Sequence, residues 1–220
     1  MNKRYPILFI LLIILVMISG CFEYEEVLVL NKDSSGTMEV DLWFNKDVNI
    51  EDEDFRLSQE KEEMESDIRE KYTSDKVKLI AYEMNEKGDR KHVNFKVAFN
   101  HVLDLNELKQ FSENDIAFRK VNGRMNFDRT LYLNHDDTSD DEDVEEKEDE
   151  NEDPSNLLER MVLALVDEFL QDIKFRFEVI TPSKIKETNS EFTTGKKRAT
   201  WSYRLSDIIK DKKVTLSVTY

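Results

Sequence analysis

The chain has one cysteine, three prolines, five glycines and three histidines in 220 residues. A single thiol permits no disulfide within the chain, so a domain built from it is held together by packing alone. The histidines, His92, His101 and His135, belong to no H-E-x-x-H pair or other zinc spacing and read as exposed polar residues. There is no G-x-S-x-G elbow and no glycine-rich phosphate loop. These absences leave no catalytic constellation, no metal site and no cofactor site, so the chain reads as a protein that is not an enzyme. The uncharged apolar run from Ile7 to Ile18 is twelve residues long, whereas a spanning helix needs roughly 20.

Charge is abundant. Asp, Glu, Lys and Arg make up 36% of the chain and the formal net charge is −16. Much of this is local, because Asp136 to Asp153 holds thirteen Asp/Glu against Lys147, a net of −12. Such a stretch has too little apolar surface to fold. It reads as a disordered acidic loop over residues 135–155, inserted in one domain rather than dividing two. The loop lacks the spaced D-x-D-x-D-G ligands of a calcium site. Overall acidity excludes nucleic acid as a partner, because phosphate contacts need Lys and Arg.

The four glycines after Gly20 fall between stretches that read as strands, where a hairpin turn calls for positive φ. Gly36 follows Val27-Leu28-Val29-Leu30 and precedes Met38, Val40, Leu42 and Phe44 in strict alternation. Gly88 joins Val77–Met84 to a strand with Val93, Phe95, Val97 and Phe99 on one face, and Asn122-Gly123 joins Ile116–Phe118 to Met125–Phe127. Further strands are expected at Ile173–Val179, Ile185–Phe192, Ala199–Leu205 and Val214–Tyr220. Pro182 closes the first of these.

Helical spacing separates the hairpins. Leu57, Met64, Ile68 and Tyr72 share one face of a helix expected over Glu53–Tyr72. A short helix is expected over Asp104–Phe111 with Asp104 as its N-cap, and a third over Ser155–Gln171, dense in apolar residues. The resulting fold class is α+β: an antiparallel sheet built from successive hairpins, with amphipathic helices packed on one face and the acidic loop inserted.

The N-terminus has a basic start (Lys3, Arg4), then the apolar run, then Ile18-Ser19-Gly20-Cys21. Basic, apolar and small residues in that order describe a secretory signal. With cysteine directly after Ser-Gly, the segment resembles the lipobox of bacterial lipoproteins. That resemblance implies a signal peptide over 1–20, cleavage after Gly20, lipidation of Cys21 and a single domain over 21–220. Attachment by two or three acyl chains is implied with it, since one chain alone binds only marginally. The location implied is the bacterial cell envelope, on the outer side of the cytoplasmic membrane or in the outer membrane.

The tail Thr181-Pro182-Ser183-Lys184-Ile185, with Asn189, Gly195 and Ala199-Thr200-Trp201-Ser202-Tyr203, resembles the terminal region of LppM-type bacterial lipoproteins and related envelope lipoproteins. The opening Phe22–Phe44, a strand, an Asn-x-Asp-x-x-Gly turn and a second strand, is similar as well. The resemblance is one of layout across most of the mature chain and implies an α+β envelope domain, with lipid or glycolipid as the ligand suggested for the family.

Two functions follow as expectations. The first is a membrane-anchored, non-catalytic lipoprotein acting through protein contacts, presented on the sheet face bearing Glu39, Asp41, Trp43, Asn94 and Lys96. The second is a lipid- or glycolipid-binding module with an apolar ligand between the sheet and the third helix. Leu165, Phe169 and Trp43 are the candidate ligand-facing residues. Trp43 lies opposite Leu42 and Phe44 in the alternation, whereas Trp201 reads as core. An envelope hydrolase is the weakest reading, for want of a site.

Overall fold

The computed structural model describes residues 22–46, 50–51, 56–57, 60–108, 111, 115–132, 173–207 and 213–220. Gly20, Cys21, the acidic loop, His135 and the third expected helix with Leu165 and Phe169 lie outside the described residues. The described residues open with β1 (Phe22–Leu30) and β2 (Gly36–Asn45), then a minimal pair, β3 (Ile50–Glu51) and β4 (Arg56–Leu57). Helix α1 (Lys61–Tyr72) leads into β5 (Val77–Lys87) and β6 (Arg90–Phe99). A 3-10 helix (Val102–Glu107) precedes β7 (Ile116–Val121) and β8 (Arg124–Tyr132). The last third holds β9 (Lys174–Ile180), β10 (Glu187–Thr188), β11 (Phe192–Thr194), β12 (Arg198–Arg204) and β13 (Lys213–Thr219).

These strands form a seven-stranded sheet in the order β11-β12-β9-β1-β2-β6-β5 and a four-stranded sheet in the order β10-β13-β8-β7, besides the β3-β4 pair. The expected helix-packed α+β arrangement is therefore corrected: the protein is mostly β. The reason lies in pairing. β8 takes β13 as its second neighbour instead of joining the first hairpins, so a second sheet forms and shares the core that helices were expected to cover. Among the described strands one pair is parallel, β1 with β9, and no hairpin makes it.

Alternation places Met38, Val40, Leu42 and Phe44 of β2 and Val93, Phe95, Val97 and Phe99 of β6 in the core, all at most 5% exposed. Phe177, Trp201, Phe127, Leu216 and Val218 complete it from the other strands of both sheets. Trp201 is core as expected, its indole N–H donating to Asn189 Oδ1 at 3.0 Å. Helix α1 buries Met64, Ile68 and Tyr72. It starts eight residues later than its expected start at Glu53, because residues 56–57 pair with β3.

The 3-10 helix is capped by His101, whose ring accepts from the Leu103 N–H while the Asp104 carboxylate accepts from the His101 N–H. Asp104 thus stands at the third helical position, not at the N-cap. Gly88, Gly123 and Gly195 have positive φ as expected, but Gly36 does not; Ser34 carries the positive φ of that turn at 71°.

Between the sheets lies an ion pair. Glu26 of β1 and Arg129 of β8 are 3% and 8% exposed and hydrogen-bonded to one another. Tyr24 donates its phenolic hydrogen to Glu26 at 2.6 Å. The Arg129 guanidinium lies 4.6 Å from the Phe111 ring centre and 5.5 Å from that of Phe177.

Burial pushes the hydroxyls of Tyr24 and Tyr72 up in pKa, with the Glu26 charge adding to it, and takes Tyr82 and Tyr220 to about 12. Unfolded tyrosine ionises near pH 10. Below that pH both states are neutral; above it the unfolded chain loses protons first, so stability falls as pH rises towards the folded values. Urea midpoints measured from pH 8 to 12 should hold until about pH 10 and then decline, and a flat profile to pH 12 would contradict this assignment.

Candidate functional site

The face of the large sheet turned away from the core carries alternate residues of six strands, and register aligns them in rows. One row runs Arg204, Lys174, Glu23, Trp43, His92, Asn85; the next runs Ser202, Arg176, Glu25, Asp41, Asn94, Glu83. Outward positions on a sheet solvated on one side are polar for the same reason that the inward ones are apolar. The five residues of the expected presenting surface, Glu39, Asp41, Trp43, Asn94 and Lys96, all lie on this face.

They form a chain of contacts. Lys96 donates to Glu39 at 2.9 Å, and Asn94 bridges Glu39 and Asp41 at 3.2 Å each. His92 Nε2 lies 2.9 Å from both Asp41 oxygens. The Lys96 hydrogen bond is the main reason the Glu39 carboxyl is held below its usual pKa. His92 is half-buried rather than an isolated exposed residue, and its ring stacks on Trp43 at 4.1 Å between centres and 15° between planes. Arg90 sits 5.4 Å from the Trp43 ring centre and reaches Glu23 at 3.3 Å.

Where β1, β2, β9 and β12 run side by side, the face is hollowed into a cleft of about 410 Å³. Trp43 and Asp41 line one side, Glu23 and Glu25 the floor between, and Lys174, Arg176, Ser202 and Arg204 the other. The cleft lies at the Phe22 end of β1. Arg176 is held between Glu25 at 3.4 Å and Glu178 at 3.6 Å. Lys174 and Arg204 are exposed and face each other across the β9–β12 register, and neither forms an ion pair among the described residues. Asp207 is close by, but its carboxylate accepts from the Arg204 backbone N–H at 3.2 Å.

Of the sequence candidates, then, Trp43 stands in the cleft wall, while Leu165, Phe169, Gly20 and Cys21 fall outside the described residues. Lys174, Arg176 and Arg204 were missed. Each reads as an ordinary outward residue, and only the β1–β9–β12 pairing gathers them. No metal-binding cluster of His, Cys, Asp or Glu occurs among the described residues, and none of the described helices is long and apolar enough to cross a membrane.

The family model of LIC11874-like proteins matches residues 16–217. The chain belongs to that family. Among solved structures, the chain is similar to the NMR structure of the folded domain of the LppM protein of Mycobacterium tuberculosis. The identity is 9%, the TM-score 0.44, and the match covers 91% of this chain and 90% of that one. No curated protein matches the chain.

Proposed function

We propose that this LIC11874-like chain is a lipid-anchored protein of the bacterial envelope that performs no catalysis and acts by binding at the outer-face cleft of its large sheet. The observation that carries the reading is the position of that cleft. Lys174 registers with Glu23, the second residue after Cys21, and a strand advances about 3.3 Å per residue. An acyl anchor on Cys21 would therefore hold the cleft within roughly 10 Å of the bilayer surface.

The sequence Ser19-Gly20-Cys21 supports the anchor, because only a cysteine thiol can form the thioether. The mixed lining of the cleft supports binding: Trp43 and Asp41 on one wall, carboxylates on the floor and cations on the other wall. Pockets of this size are of the order that holds small organic ligands, ~300–1,000 Å³.

Labelling cells with a fatty-acid analogue tests the anchor. Wild type should take up label, and Cys21→Ser should take up none and persist as an uncut precursor. Equal labelling of the two would remove the lipoprotein reading.

A further inference from the structure

We propose that Lys174 and Arg204 form a binding site for a phosphate group at the cationic end of the cleft. The inference rests on the reading of the cleft as the binding surface and names the chemistry it takes. Like charges directly opposite each other on neighbouring strands destabilise a sheet. Here an ammonium and a guanidinium occupy such a pair on one face, with Arg176 next along β9. Among the described residues neither of the two forms an ion pair; Glu23, in register with Lys174, reaches Arg90 instead.

The carboxylates nearby are committed elsewhere. Glu23 is taken by Arg90, Asp41 by His92, Glu25 by Arg176, and Asp207 by a backbone N–H. Lys174 and Arg204 are therefore the two cations of the cleft lining that no ion pair offsets among the described residues, and both open into the cleft.

Phosphate is the anion this arrangement fits. A guanidinium offers a fork of parallel donors and an ammonium offers a mobile point charge, and the several oxygens of a phosphate accept from both. The cleft extends well beyond the cation pair to Trp43, so the phosphate carries an organic group that lies along the wall. Two sources share this chemistry: the headgroup of an anionic phospholipid, which the anchor would bring to the same height, and a soluble organic phosphate.

The test uses the full chain in maltoside micelles, with tryptophan fluorescence as the readout and Trp43→Phe to assign the change to Trp43 rather than the buried Trp201. One arm titrates pyrophosphate against sodium chloride at matched ionic strength; the other dopes the micelles with phosphatidylglycerol or with neutral diacylglycerol. A saturable response to pyrophosphate or to phosphatidylglycerol, and not to its control, is expected. It should weaken at least tenfold in Lys174→Glu and in Arg204→Glu. Which arm responds identifies the source.

A second readout separates a site from a merely structural pair. Arg204→Glu turns the repulsive cross-strand pair into an attractive one without setting a second carboxylate opposite Glu23, so it should keep or raise the melting temperature of the ligand-free protein while weakening the response at least tenfold. The proposal is overturned if neither probe gives a saturable response, if the controls match them, or if Lys174→Glu responds like wild type. The pyrophosphate arm does not depend on the state of Cys21, so failure there and failure of acylation are told apart.

Discussion

Replacing Arg129 by leucine is expected to lower stability by about 3–5 kcal/mol, the usual cost of leaving a buried charge without its partner. Glu26 would keep the Tyr24 hydroxyl but lose its cation between two sheets, where it is 3% exposed. Arg129 is itself only partly satisfied, because its Nε is buried without a hydrogen-bond partner, and much of its environment is the faces of Phe111 and Phe177. The pair as a whole therefore contributes little, while either half alone is costly. The double variant Glu26→Leu/Arg129→Leu should recover most of the loss. Denaturant unfolding of the single and double variants checks this, and a loss under about 1 kcal/mol for Arg129→Leu would contradict it.

Gly36→Ala should be the second severe change, at about 3 kcal/mol, the upper part of the range for overpacking. A Cβ on Gly36 would stand 2.0 Å from the Val29 carbonyl oxygen and 2.7 Å from the Phe99 ring. The first of these is backbone of the neighbouring strand, so relief requires β1 and β2 to separate. Gly123→Ala is the contrast. Its φ is +81° but nothing lies within 4 Å of the added carbon, so only backbone strain remains, roughly 1–2 kcal/mol. Thermal melts of the two variants should differ clearly, and equal melts would show that both glycines serve only their turns.

Gly36 also marks where the sequence misleads. A glycine between two alternating runs looks the same whether it makes the turn or lies against the next strand. The alternation of Met38, Val40, Leu42 and Phe44 is legible because one face of β2 is wet and the other dry. Glu26 breaks the corresponding pattern in β1 as a charge at an inward position, and nothing local reveals that Arg129, 103 residues later, will meet it. The cleft is hidden for the same reason. Trp43 is visible as an outward aromatic, but Lys174 and Arg204 become neighbours only through pairings that no hairpin dictates. The second sheet follows from β8 choosing β13, a choice between apolar strands that periodicity does not rank.

The parallel β1–β9 pair bears on mechanics. β1 is the central strand of its sheet, matched over nine positions by β2 and over seven by β9. A pull transmitted through residue 21 runs along the axis of β1 and loads the hydrogen bonds of both flanks in shear, all at once rather than one by one. Unfolding under load is a question of rate, and a strand gripped from both sides yields slowly. The fold thus resists tension at the end by which it would be tethered.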